Sequence, residues 1–319
     1  MPPQQQQQAG PPGPPYAPRT AAVGGLPSIL PDVPISAVFL VIYLGFAITN
    51  MTILQVNLRR QHKFIMSGAL FGFSMSRIIA FTLRIIWATR QHNVRIAIAS
   101  NVFANAGVLV IYVINLISAQ RILRAKQPSV GWHPSISIVL KIFYGGIPAA
   151  LVLVIYSIVQ GSYTLNPHTL HAVRDIQLAA ITYLLVFTTL PLWLLLVAHF
   201  LLPKSADEEL FGHGSMRAKV IINVLSTCIA VLIAGFKTGT SWETPRPLSD
   251  PAWYHSKPAF YVFTFVLEIL ILSLLTFSRI DKRFHIPNGS KQAGDYSRSG
   301  SDQTTTEKDA SSNSSSHQV

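Results

Sequence analysis

"FIMSGALFGFSMSRIIAFTLRIIW", Phe64 to Trp87, is an apolar run interrupted by two arginines, Arg77 and Arg84. As a helix rising 1.5 Å per residue, it is long enough to cross the roughly 30 Å hydrocarbon core of a bilayer. In a soluble protein two arginines on a helix are ordinary surface groups. In a membrane they sit where a charge is costly. The meaning of the stretch therefore depends on the class of the whole chain.

Composition decides the class. Half of the 319 residues are hydrophobic and 12% are charged, against about 25% in soluble domains. Mean hydropathy is +0.39. Apolar runs of roughly 20 residues recur along the chain, each matched to a membrane core. A soluble α/β chain would instead show apolar strands of about 4–8 residues between turns. The chain thus reads as all-α, a polytopic membrane protein built as a seven-transmembrane helix bundle.

The seven predicted spans are Pro34–Leu54, Phe64–Trp87, Ile96–Ser118, Ile136–Gln160, Ile176–Leu202, Val220–Phe236 and Ala259–Phe277. Residues 1–33 form a Pro/Gln-rich arm that cannot bury enough apolar surface to order itself. Residues 34–279 form the membrane domain, and residues 280–319 a Ser/Thr-rich tail expected to be disordered. Its serines and threonines are candidates for phosphorylation, which would switch its charge. Met1 to Leu30 lack the basic start and apolar centre of a cleavable signal, so the first span is expected to direct insertion.

Lysines and arginines near the span ends predict orientation. One side holds Arg59, Arg60 and Lys63, then Arg121, Arg124 and Lys126, then Lys204, Arg217 and Lys219, then Arg279, Lys282 and Arg283. The other holds Arg19, Arg90, Arg95, Arg174, Lys237, Arg246 and Lys257. Twelve against seven places the N-terminus outside and the C-terminus in the cytoplasm. The net charge of +12 is thereby topological. It lacks the aromatic-laced basic patches and zinc spacings of nucleic-acid binders, so no nucleic-acid partner is expected. The expected partners are the bilayer and a cytoplasmic signalling protein at the basic loops and tail. The plasma membrane is favoured over an internal one.

The single cysteine, Cys228, rules out an intrachain disulfide and reads as a small buried hydrophobe. No phosphate loop, nucleophile elbow or zinc motif is present. The histidines are scattered, and His168 and His171 would need further ligands nearby to hold a metal. The last span contains no lysine for a retinal Schiff base. No catalytic, cofactor-binding or metal-binding residues are expected, and no cofactor; the chain does not read as an enzyme.

Intramembrane polar residues supply the candidate site. Arg84 and Lys141 lie near span ends and can extend to the interface. Arg77 and Glu268 lie near the middle of spans two and seven, with opposite sign and similar depth, and are expected to pair. Gly68, Gly72, Ser76 and Ala80 form a small-residue stripe on span two that permits close helix packing. Asn101, Asn105 and Asn115 share a sector of span three, and Asn223, Ser226 and Thr227 one side of span six. Arg77, Glu268, Asn101, Asn105 and Asn223 together form the candidate polar network, serving helix packing or a polar ligand. "YGGIPAA" (Tyr144–Ala150) and "TTLPLW" (Thr188–Trp193) place proline kinks in spans four and five. The loop Lys237–Pro258, with Trp242, Trp253 and Tyr254, reads as an interfacial aromatic belt or a cap over a cavity.

The motifs of rhodopsin-like receptors are missing: span three ends "NLISAQRILRA" and span seven "LLTFSRIDKRF". The stretches "YVINLISAQRILRAKQPSVGWHPS" (Tyr112–Ser135) and "INVLSTCIAVLIAGFKTGTSW" (Ile222–Trp242) resemble an uncharacterised family of filamentous-fungal seven-transmembrane proteins. Its members are often labelled family-C-like G-protein-coupled receptors. A more distant similarity in layout is to fungal lipid-translocating exporters. Two functions fit these observations. One is a receptor-like sensor of a small or lipophilic ligand. The other is a lipid or small-molecule translocator. The absence of duplicated halves favours the first.

Overall fold

The computed structural model of the chain describes residues 13–18, 20–60, 64–201, 208–290 and 292–296. The glutamine run of the arm, the end of the tail from 297 onward, and Arg19, Lys63 and Lys204 lie outside these residues. Among the described residues seven helices are long and apolar enough to cross a membrane. They are α1 (Ile29–Arg59), α2 (Ile65–Thr89), α3 (Val94–Lys126), α4 (Pro134–Tyr163), α5 (Pro167–His199), α6 (Met216–Trp242) and α7 (Lys257–Phe277). Among the described residues the only strand-type pairing is one isolated bridge between Thr20 and Pro247.

The polarity of the bundle is inverted relative to a soluble protein. Val38, Val41, Ile48, Leu153, Leu225, Leu232, Leu270 and Phe277 are exposed on its outside, while Arg77, Glu268, Asp32, Asn115 and Asn223 are buried. Such a continuous apolar exterior is untenable in water and matches lipid. The chain is a multi-pass integral membrane protein.

Local chemistry sets the helix ends. Pro134 and Pro167 occupy first-turn positions, where their missing N–H is no loss. The side chain of Asn166 accepts from the His168 amide at 3.0 Å, and that of Ser215 from the Ala218 amide at 3.3 Å. α6 runs six residues beyond Phe236, because nothing in "KTGTSW" breaks a helix before Glu243 and Pro245. Lys237 therefore lies within the last span but one, and the loop begins at Glu243 rather than Lys237.

Helices α3, α4, α5 and α7 each carry a break, a π turn or an internal proline. α3 is interrupted between Ala106 and Leu109, at Gly107 and Val108. α7 contains a π-helical turn, Tyr261–Val266, immediately before Glu268. α4 carries Pro148 and α5 carries Pro191. One turn before Pro148, Tyr183 of α5 donates to the Phe143 carbonyl at 2.6 Å. Gly146 makes this approach possible, since a Cβ there would lie 2.1 Å from the Tyr183 hydroxyl.

The small-residue stripe of α2 packs unevenly. Gly68 meets Leu54 of α1, and the ideal Cβ of Gly107 in α3 would fall 2.3 Å from Ser76 Oγ. Gly72 has nothing within 4 Å of its would-be Cβ and faces outward, so it is not a close-packing residue. Cys228 likewise is exposed on the apolar exterior of α6, not buried as expected.

The body continues past α7. Residues Ile280–Arg283 form a short helix, and Phe284 and Tyr296 are buried against Phe211. Glu209 accepts from the amides of Gly294 at 2.7 Å and Tyr296 at 3.0 Å. Phe284, Ile286 and Tyr296 supply the apolar anchors that the polar composition of the tail as a whole conceals. The arm also contributes to the body. Ala21 N donates to Arg246 O at 2.9 Å and Gly24 N to His255 O at 3.0 Å, laying residues 20–25 against the loop before α7.

Candidate functional site

Two charged clusters lie on one side of α2, seven residues apart. In the deeper one, Arg77 Nη2 donates to Glu268 Oε1 of α7 at 2.6 Å, and both side chains are 0% exposed. Arg77 Nη1 donates to the carbonyls of Phe103 at 2.9 Å and Ala104 at 3.0 Å. These are acceptors at the end of the first half of α3, just before its break. The Tyr43 hydroxyl of α1 donates to Glu268 Oε2 and to Phe265 O, both at 3.3 Å. The break of α3 and the π turn of α7 present backbone carbonyls to the cluster, where Arg77 satisfies those of α3 and the Tyr43 hydroxyl that of Phe265. Phe73 and Phe265 pack on the guanidinium, with centroids 5.2 and 5.6 Å away.

The second cluster corrects the expectation for Arg84. It does not extend to the interface: it is 4% exposed and pairs with Asp32 of α1 at 2.8 Å. It also donates to Tyr261 Oη and to the Gly24 carbonyl, each at 3.2 Å. Lys257 bonds the other oxygen of Asp32 at 2.5 Å. The acid that holds Arg84 lies two residues before the predicted start of span one, in a segment read as part of the arm. An aromatic layer of Phe39, Phe81, Tyr261 and Phe265 separates the clusters, with Phe81 and Phe265 at 4.4 Å.

The structure divides the predicted polar network. Arg77 and Glu268 are in contact. Asn101 and Asn105 lie one turn apart on α3, joined by Asn105 Nδ2 donating to Asn101 O at 2.9 Å, and both face a cavity. Asn223 belongs elsewhere. It donates to Asn115 O at 3.1 Å and accepts from Thr227 at 3.1 Å, while Ser226 donates to Asn115 Oδ1 at 2.7 Å. That buried knot fastens α3 to α6 and does not touch the cavity.

The cavity has a volume of about 410 Å³ and lies among α3, α4, α5, α6 and α7. Thr20–Val23 of the arm and Glu243–Pro245, Tyr254 and His255 of the loop roof it. Leu109, Tyr112, Leu151, Val154, Leu184 and Phe260 give it apolar walls. Arg77 and Glu268 do not line it: they stand one layer behind Ala104, which does. Lys237 does line it, and sequence reasoning placed that residue in a loop. Its Nζ is buried and has no hydrogen-bond partner, although part of its stem is exposed. The length of span six was the available signal, since a 17-residue span is short for a bilayer and invites extension through Lys237.

The other half of the bundle is packed with apolar side chains among the described residues. Leu116, Ile122, Leu123, Ile271, Leu272 and Leu275 are buried there and fill the centre. Among the described residues no group of three His, Cys, Asp or Glu side chains is placed to hold a metal.

The fold and its cavity define a seven-helix, multi-pass membrane protein with a pocket of mixed apolar and polar lining in the half of the bundle nearer the N-terminus. No protein-family model, curated protein or solved structure matches the chain.

Proposed function

We propose that the protein is a receptor-like sensor of a small or lipophilic ligand, without enzymatic activity, in the plasma membrane. In this reading the N-terminus faces outside and the C-terminus the cytoplasm, as the distribution of lysine and arginine implies. The observation that carries the reading is the blind cavity. It is confined to the N-terminal half, of a size typical of small-molecule sites, and backed by a filled C-terminal half. A sensor needs a site on one side and a packed body to transmit its occupancy. Exposed basic residues at the other end, Arg59, Arg60, Arg217 and Lys282, together with the Ser/Thr-rich tail, supply a surface for a signalling partner.

The alternative is a lipid or small-molecule translocator. Its support is the pair of internal prolines, Pro148 and Pro191, positions at which a helix can hinge. Proximity labelling from the C-terminus separates the two. Recovery of heterotrimeric G-protein subunits or another signalling protein supports the sensor. Recovery of lipid-metabolic neighbours alone, with altered leaflet lipid distribution on deletion, refutes it.

A further inference from the structure

Lys237 has no role in the ion pairs that hold the bundle together. Arg77 and Glu268 satisfy each other at 2.6 Å, and Asp32 is shared between Arg84 and Lys257. Lys237 Nζ is buried and forms no hydrogen bond. Lys237 makes no ion pair with Glu268, whose carboxylate is taken by Arg77 and Tyr43. The α7 carboxylate is thus committed to Arg77, and Lys237 is left as a buried cation without an anion. A buried, unpaired ammonium is costly in a low-dielectric interior, and a charge in a membrane span ordinarily finds a partner or faces a functional cavity. Lys237 stands on the cavity wall.

The rest of the lining fits a single anionic head on an apolar body. Asn101, Asn105, Thr240 and Ser241 supply amide and hydroxyl groups on the cavity wall. Leu109, Val154, Ile181, Leu184 and Phe260 form apolar walls. A volume of about 410 Å³ is near the small end of ligand sites and suits one chain or ring system rather than a two-chain lipid.

We infer that the cavity binds an amphiphilic monocarboxylic acid whose carboxylate pairs with the Lys237 ammonium. This deepens the sensor reading and rests on it. A charge-assisted N–H···O bond at Nζ completes the balance of buried charge, and the apolar body displaces water from the walls.

The test uses the full-length protein in nanodiscs, with decanoate and its neutral counterpart decanol as probes. Binding is read by calorimetry and by the shift in Tm, in wild type, Lys237→Met and Lys237→Arg. Wild type is expected to bind decanoate at least 10-fold more tightly than decanol. Lys237→Met should abolish that preference, while Lys237→Arg retains most of it. Methionine keeps the unbranched stem, one atom shorter, and removes an unpaired charge, so the unliganded Lys237→Met protein should unfold at the wild-type Tm or above. A Tm well below wild type contradicts the claim that the ammonium is unpaired.

Equal binding of decanoate and decanol, or undiminished preference in Lys237→Met, overturns the acid assignment and leaves a ligand cavity standing. Binding of neither probe overturns both. Nanodiscs with and without phosphatidic acid identify the source of the anion. Competition by phosphatidic acid at the level of decanoate would replace the free acid with a lipid headgroup and overturn the proposal.

Discussion

Arg77 of α2 and Glu268 of α7 meet at 2.6 Å with both side chains fully buried, and the same guanidinium closes the carbonyl ends of the first half of α3. One arginine therefore joins three helices, and Tyr43 adds α1 through Glu268. The pair locks helices together behind the cavity rather than flooring it.

Removing one member leaves a buried charge with no partner. Arg77→Met or Glu268→Leu alone should destabilise the protein by about 3–5 kcal/mol, read as a fall in the unfolding midpoint in detergent. The double substitution removes both charges and should recover much of that loss. An exchange of the two charges should recover little, because a glutamate at position 77 cannot donate to the Phe103 and Ala104 carbonyls. Full recovery by the exchange would show that the α3 carbonyls contribute nothing.

Asp32→Asn should weaken the second cluster and release the arm. Arg84 and Lys257 would face each other without an anion, at a cost of about 3 kcal/mol or more. Amide exchange at Gly24 to Ser28 should accelerate, since Gly24 O and the Ser28 backbone are held by this cluster. Unchanged exchange there would separate the arm from the Arg84 network.

Two glycines should respond in opposite ways. Gly107→Ala places a Cβ 2.3 Å from Ser76 Oγ and 3.1 Å from Arg77 Cζ, and should cost about 1–3 kcal/mol. Gly72→Ala enters open space in a helix and should be neutral or stabilising by up to about 1 kcal/mol. Thermal unfolding of the two variants side by side distinguishes them.

The contrast between those glycines marks how far sequence could reach. Hydropathy alone located all seven helices, because membrane thickness fixes their length. Sign and depth were enough to bring Arg77 and Glu268 together. Spacing could not tell Gly72, which faces lipid, from Gly107, which meets a side chain, because the face of a helix is set by its neighbours. Asp32 and Lys237 were misassigned for a related reason. Both sit at span ends, where a polar residue marks a helix boundary or a buried charge equally well, and only tertiary packing decides.

Acid should weaken the junction after α7. Burial tends to raise the Asp281 carboxyl, but hydrogen bonds from Arg279 and Asn57 and the charge of Arg279 outweigh it and hold the group below its ordinary 3.8. A depressed carboxylate stabilises the fold above its unfolded pKa, and the contribution is lost as pH falls through the folded one. Asp281→Asn should therefore be less stable than wild type near pH 7, and the difference should shrink below about pH 4. A difference independent of pH would show that the charge of Asp281 is irrelevant.

The blind cavity is tested most directly by the sidedness of its wall. With Cys228 replaced by serine, Asn105→Cys is placed in the cavity and Leu116→Cys in the filled half, and each is treated with a membrane-impermeant thiol reagent from one face at a time. A sensor with a one-sided site predicts that residue 105 reacts only from the face bearing the N-terminus and residue 116 from neither. Reaction of residue 105 from both faces would contradict the account and establish alternating access.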